Sequence, residues 1–158
     1  RYLHSRNAWF ARDMKIVLDT NVVSYFFFSQ NELANSAREV LSHARGMGEV
    51  VINSIVYAEI AAMDEFEESS FDRILRAARI VPDWTPLEPK LWLRAGFLYG
   101  QYARSPKPKK GSDRRLLADF LTLAHLEARA DLLLTFDNAL VQVANDPRVV
   151  YAPDWKSA

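Results

Sequence analysis

Two short apolar runs in this sequence end alike. Ile16-Val-Leu18 is followed by Asp19-Thr20-Asn21, and Leu132-Leu-Leu-Thr135 by Phe136-Asp137-Asn138. Two more acids stand among apolar neighbours on helical patterns, where residues three and four apart share a face. Around Glu59 those positions hold Ile55, Val56, Ala62 and Met63. Around Asp119 the face carries Leu116, Leu123 and Leu126, flanked by Arg115 and Thr122. An uncompensated polar group on an apolar face costs about 2–7 kcal/mol. Either a salt bridge, with Arg115 or Arg38 as partner, or a shared cation would compensate. Asp19 and Asp137 also have a simpler reading as helix N-caps. Gathered in one crevice, four carboxylates would repel and raise each other's pKa. One or two hard divalent cations, Mg²⁺ or Mn²⁺, remove that conflict through oxygen ligands. Zinc is disfavoured, because the chain has no Cys and only His4, His43 and His125, with His125 read as a surface residue. A carboxylate-held divalent ion in a cleft suits phosphodiester hydrolysis, where it activates water and neutralises developing charge.

Something must hold these acids together. From Met14 onward, short β-branched or Leu-rich runs alternate with helical patterns. Strands are expected at Lys15–Leu18, Val50–Ile52, Ile80–Val81, Leu132–Leu134 and Val149–Tyr151, and helices near 31–46, 55–65, 69–79, 87–103, 113–129 and 138–145. Such alternation predicts βαβ units and a central, mainly parallel sheet of four to five strands covered on both faces, a three-layer α/β/α sandwich. Ligands of such sheets bind beyond the carboxyl ends of the strands, where Asp19 and Asp137 stand.

The 158 residues, 49% hydrophobic and 25% charged with nine Phe, six Tyr and four Trp, suffice for one real core and exclude disorder. No apolar run approaches the ~20 residues of a membrane span, and no signal-peptide pattern is present, so a cytoplasmic protein is expected. Twenty basic and twenty acidic residues cancel, so any affinity for polyanions must be local. Acids collect between Glu59 and Asp72, bases between Arg104 and Arg115. The second stretch, rich in Pro, Gly and Ser, reads as a loop. Its Lys107, Lys109 and Lys110, with Arg114 and Arg115, are candidates for phosphate contacts, and Asp113 reads as a helix N-cap. Residues 1–13 show no period and stand outside the fold argument, as an expression remnant, an upstream-start extension or a docking arm. Residues 14–158 are expected to form a single domain.

These residues resemble the PIN-domain ribonucleases, and among them the VapC-type toxins of bacterial toxin–antitoxin modules. The resemblance rests on Met14-Lys-Ile-Val-Leu-Asp-Thr-Asn-Val-Val23, Ile52-Asn-Ser-Ile-Val-Tyr-Ala-Glu-Ile60, Leu117-Ala-Asp-Phe-Leu-Thr-Leu-Ala-His125 and Asp131-Leu-Leu-Leu-Thr-Phe-Asp137, in that order. It implies that Asp19, Glu59, Asp119 and Asp137 hold one or two Mg²⁺ or Mn²⁺ ions, with Thr20, Asn21 and Thr135 orienting the carboxylates and bound water. It further implies cleavage of single-stranded regions of RNA, a cognate antitoxin and a homodimer. The loop around Lys107–Lys110 and the first 13 residues fall outside the resemblance.

Tyr25-Phe-Phe-Phe28 opens or follows the first helix and offers either core side chains or a groove for an amphipathic antitoxin helix. Gly96-Phe-Leu-Tyr-Gly100, beside Trp92, suits close packing in the core or across a dimer seam. Three rival functions fit the sequence less well. A phosphatase with Asp19 as nucleophile lacks the Asp-x-Asp pattern, since position 21 is Asn. A phosphoacceptor receiver domain would need a lysine after a late strand, and none follows Leu132–Asn138. A non-catalytic RNA- or protein-binding module of the same fold would be expected to have lost at least one acid.

Overall fold

A computed structural model describes residues 14–106 and 117–155. In chain order these residues form β1 (Met14–Leu18), α1 (Thr20–Phe28), α2 (Glu32–Met47), β2 (Gly48–Asn53), α3 (Ser54–Ala61), α4 (Glu68–Ala78), β3 (Ile80–Asp83), α5 (Pro89–Arg104), α6 (Leu117–Arg129), β4 (Leu132–Thr135), α7 (Asn138–Ala144) and β5 (Val149–Tyr151). The strands make one five-stranded sheet in the order β3-β2-β1-β4-β5, and every pairing is parallel.

Alternation along the strands divides the core in two. Ile16, Leu18, Val50, Ile52, Leu132 and Leu134 point to one face, where they meet Val22, Val23, Leu41, Val56 and Leu75 of α1 to α4. Val17, Val51, Leu133 and Val149 point to the other and meet Leu91, Phe120, Leu126 and Leu140 of α5, α6 and α7. Burial on both faces is why the inner strands read as unbroken apolar runs. The result is the expected three-layer α/β/α sandwich.

Chain order reverses beside β1. The chain goes from β1 to β2 and β3, then crosses back to β4 and β5. The carboxyl ends of β1 and β4 therefore flank the point at which such sheets open a crevice.

Local chemistry sets the element ends. Gly48 starts β2 against Met14, and a Cβ there would stand 2.0 Å from the Met14 carbonyl oxygen, so only glycine fits. Pro82 lies within β3, where the missing N–H is tolerated because β3 is an edge strand. α4 ends at Arg79 and α7 at Asn145, both left-handed, with φ 54° and 46°. Asn is a common choice there; Arg is held by the turn that feeds β3.

The sequence reading misses α1, which starts directly after β1 and has Tyr25–Phe28 as its last four residues. All four are partly buried: Phe26, Phe27 and Phe28 pack against the first core, and Tyr25 meets Phe136 edge-on at 5.2 Å. No described helix is long and apolar enough to cross a membrane. Residues 1–13 lie outside the described residues.

Candidate active site

Asp19 follows β1, and its backbone N–H donates to the Leu134 carbonyl of β4 at 2.9 Å, which ties the ends of the two central strands together. Its carboxylate is enclosed by donors. Oδ1 accepts from the Thr20 backbone N–H at 2.8 Å, while Oδ2 accepts from the Thr135 hydroxyl at 2.6 Å and the Asn21 amide at 3.0 Å. Asn21 also spans the seam: its Oδ1 accepts from the Phe136 N–H at 2.9 Å and its Nδ2 reaches the Thr135 hydroxyl at 3.2 Å. Thr135 in turn accepts from the Asp137 N–H at 2.9 Å. Asp137 caps α7 by accepting from the Leu140 N–H at 3.0 Å. The capping reading of both aspartates therefore holds alongside their place at the crevice.

Glu59 projects from the last turn of α3, and one of its carboxylate oxygens accepts a hydrogen bond from the Thr20 hydroxyl. Asp119 lies in the first turn of α6. The electrostatics show that these acids sense one another. Burial pushes the Asp19 pKa from 3.8 to about 6; hydrogen bonds from Thr135 and Thr20 oppose the rise, and the charges of Asp119 and Glu59 add to it. Glu59 is likewise raised, first by burial, with Thr20 opposing and Asp119 reinforcing. Of the candidate cationic partners, Arg38 donates to Asn35 on its own helix at 2.9 Å, and Arg115 lies outside the described residues.

Asp19, Glu59 and Asp119 are thus electrostatic neighbours, and Asp137 is linked to Asp19 through Thr135. They are not drawn into a cage. Among the described residues, no three His, Asp or Glu side chains are placed to hold an ion directly. The donor set nevertheless suits a hard divalent cation: it is all oxygen and partly buried, and Asp19 and Glu59 take their side-chain hydrogen bonds from neutral donors. Mg²⁺ in particular keeps several waters and meets one or two carboxylates, so it needs no closed protein cage.

The structure corrects the reading of His125. Its side chain is 1% exposed, and its Nε2 lies 3.1 Å from Asp83 Oδ2. α6 is covered from Phe120 through Leu126: α5 packs along it, with Tyr99 and Tyr102 on Phe120, while Asn53 and Asp83 at the ends of β2 and β3 meet Thr122 and His125. Three polar residues have no role in the sequence reading: Asn53 and Thr122, 1% and 3% exposed, and Asp83. The signal was available, since polar Thr122 and His125 recur at three-residue steps from Asp119 in an apolar helix. Lys107, Lys109, Lys110, Asp113, Arg114 and Arg115 lie outside the described residues. Gly96 is not core packing: a Cβ on it would meet nothing within 4 Å, and Trp92, Leu93 and Phe97 beside it are 51%, 76% and 55% exposed.

Comparison with known proteins agrees with this architecture. Solved structures with the same fold include VapBC-1 from nontypeable Haemophilus influenzae (TM-score 0.61, 16% identity, 88% of this chain and 98% of that chain covered). VapBC2 from Rickettsia felis, bound to a DNA fragment from their promoter, matches with TM-score 0.54 and 20% identity over 87% of this chain and 96% of that one. FitAcB from Neisseria gonorrhoeae matches with TM-score 0.53 and 18% identity over 87% and 97%. A comparison with curated proteins gives no match. The sequence profile of the PIN domain matches residues 16–146, nearly the whole of the sheet and its helices, and the chain belongs to the PIN-domain family.

Proposed function

We propose that this protein is a metal-dependent endoribonuclease and the toxin of a toxin–antitoxin pair. The observation that carries the reading is Asp19: a partly buried, desolvated carboxylate with its pKa lifted to about 6, hydrogen-bonded among the described residues by neutral groups and facing two more acids at the switch point of a PIN-family sheet. Asp19, Glu59, Asp119 and Asp137 would hold Mg²⁺ or Mn²⁺, as one or two ions. When bound, the ion supplies a hydroxide-like nucleophile near neutral pH and neutralises charge on the scissile phosphate. The chain's own residues do the rest. Thr135 and Asn21 fix the rotamer of Asp19 and keep one face of its carboxylate turned toward the crevice. Thr20 holds Glu59 by its hydroxyl, and the α7 cap holds Asp137. Donation from Thr135 and Thr20 also favours the ionised form of Asp19 that a cation requires.

The partners follow from the same reading. RNA is the proposed substrate, with Lys107, Lys109, Lys110, Arg114 and Arg115 as proposed phosphate contacts, and a cognate antitoxin is the proposed regulator. Tyr25–Phe28, partly exposed at the end of α1, is its proposed docking surface. The open space over Gly96 and the exposed Trp92, Leu93 and Phe97 support a homodimer seam on α5. A cytoplasmic location is proposed with them.

The test is calorimetric titration of Mn²⁺ into the chelator-treated protein and its Asp119→Asn variant, followed by RNA cleavage with and without EDTA. Saturable binding lost in the variant, with cleavage stopped by EDTA, is the expected result. Cleavage that persists in EDTA would overturn the metal mechanism. If both folded proteins fail to bind Mn²⁺ and fail to cut, the chain is a non-catalytic PIN module that binds RNA or protein.

A further inference from the structure

Asn53 and Asp83 are register partners at the carboxyl ends of β2 and β3, so their side chains leave the sheet on the same face, under α6. Both reach that helix. Asn53 Nδ2 donates to the Thr122 hydroxyl at 3.4 Å, while Asn53 Oδ1 accepts from the Val56 N–H at 2.9 Å and caps α3. Asp83 Oδ2 lies 3.1 Å from His125 Nε2. Asp83 Oδ1 is fixed by the backbone and hydroxyl of Thr85, and Lys15 Nζ stands 3.7 Å from Oδ2. An ionised Asp83 only accepts, so the proton of a neutral His125 resides on Nε2. His125 Nδ1 then points into the core with no partner among the described residues. Thr122 and His125 stand about one and two turns after Asp119 on α6, on the row of three-residue steps that winds gradually around the helix. Two buried polar contacts therefore anchor the turns of α6 that follow Asp119. The same Asn53 begins the helix that carries Glu59.

We propose that Asn53–Thr122 and Asp83–His125 act as a positioning ladder that sets the rotation and depth of α6 and so holds Asp119 beside Glu59 and Asp19. The inference rests on the nuclease reading, since it assigns the ladder to the assembly of that metal site. The physical need is plain. Asp119 repels both Glu59 and Asp19, and apolar attraction, being non-directional, does not by itself select one rotation of a helix over its near neighbours. Directional hydrogen bonds between buried groups do, because each displaced rung leaves polar atoms unpaired inside the protein. Thr122, His125, Asn53 and Asp83 are positioning residues; none of them is among the four acids.

Thr122→Val keeps the shape of the side chain and removes the hydroxyl, whereas Thr122→Ser restores it. Each is compared with the wild type and with Asp119→Asn by thermal unfolding in chelator and by Mn²⁺ titration calorimetry. Loss of such a supporting partner typically weakens metal affinity about 10- to 100-fold. The expected result is Mn²⁺ affinity weakened by at least about tenfold in Thr122→Val and recovered in Thr122→Ser, with Thr122→Val still folded at a Tm lower by several degrees because the buried Asn53 amide loses its partner. His125→Leu should weaken binding in the same way and His125→Gln, which can present an N–H near the Nε2 position, should largely preserve it. This second pair decides the matter if Thr122→Val does not fold. Wild-type affinity in Thr122→Val and His125→Leu, with binding still lost in Asp119→Asn, would overturn the ladder and leave the nuclease reading standing. Absence of Mn²⁺ binding in the wild type would overturn both.

Discussion

Asp19→Asn separates two properties of one carboxylate, because the amide keeps its shape and drops its charge. In the folded protein burial lifts the Asp19 pKa from 3.8 to about 6, against the hydrogen bonds of Thr135 and Thr20. The native state therefore binds this proton more tightly than the unfolded chain does. The stability associated with it is complete below about pH 3.8 and is lost as pH rises through about 6. A rise from 3.8 to about 6 corresponds to about 3 kcal/mol, an upper value for a group that water still reaches in part. The amide avoids this loss and brings a different one at every pH. Its NH₂ group, placed where Oδ2 stands, faces the Asn21 amide at 3.0 Å and a Thr135 hydroxyl at 2.6 Å that already accepts from the Asp137 N–H. Setting donor against donor costs about 1–2 kcal/mol.

The two effects have different pH dependence, so the stability curves should cross. At about pH 4 the variant should be less stable than the wild type by about 1–2 kcal/mol, and at about pH 8 more stable by a similar amount. For a chain of this size 1 kcal/mol moves the Tm by about 2–4 °C, so the Tm difference should swing by about 6–12 °C across the range. Scanning calorimetry in chelator at constant ionic strength reads this directly. Curves that run parallel from acid to alkaline pH would refute the assignment of a raised pKa to Asp19. Adding Mn²⁺ at about a hundred times its Kd should then stabilise the wild type by about 2.7 kcal/mol and leave the variant unmoved.

Thr20→Val removes the hydroxyl that holds Glu59 and opposes the burial-driven rise of its pKa. Mn²⁺ affinity should fall about tenfold and its onset should move to higher pH, read by titration across a pH series. Gly48→Ala places a Cβ 2.0 Å from the Met14 carbonyl oxygen and forces β1 and β2 apart at their start. A loss of about 3 kcal/mol or more, seen as a lower urea midpoint, is expected. Leu133→Ala empties a fully buried position in the central β4 and should cost about 2–5 kcal/mol in the same assay. Glu127→Gln breaks the ion pair with Arg94, whose side chains are 43% and 33% exposed, and should cost under about 1 kcal/mol.

The strands were legible because β1, β2 and β4 are buried on both faces, which leaves Val, Ile and Leu in unbroken runs. β3 was read two residues short, since Pro82 argues against a strand and only its edge position excuses it. α1 was hidden: Val22-Val23 and Tyr25–Phe28 are β-branched and aromatic, and only Asp19 at the cap starts a helix there. Asp19 and Asp137 could be placed at one crevice from the strand ends alone, and Glu59 and Asp119 from their apolar surroundings. The separation of the four could not, because it depends on how α3 and α6 seat against the sheet. That seating is a tertiary matter set by Asn53–Thr122 and Asp83–His125, partners 69 and 42 residues apart in sequence. His125 was misread for the same reason: a helical pattern shows which residues share a strip and is blind to an aspartate waiting beneath it.

Helix ends explain why the four acids are not equivalent. Asp19 caps α1, Asp137 caps α7, and Asp119 lies in the first turn of α6, so three of them meet the positive end of a helix dipole. Each such end acts as roughly half a positive charge and stabilises an anion by about 0.3–1 kcal/mol. Glu59 stands in the last turn of α3, where the dipole is negative, and its raised pKa is opposed chiefly by the Thr20 hydroxyl. The helices thus offset well under half of the charge that would gather if all four acids ionised. A divalent ion reverses that balance. Glu59 depends on it in particular, because no helix end already favours its charge. Glu59→Gln should therefore stabilise the metal-free protein while abolishing the response of its Tm to Mn²⁺. A variant that keeps the Mn²⁺ response would remove Glu59 from the site.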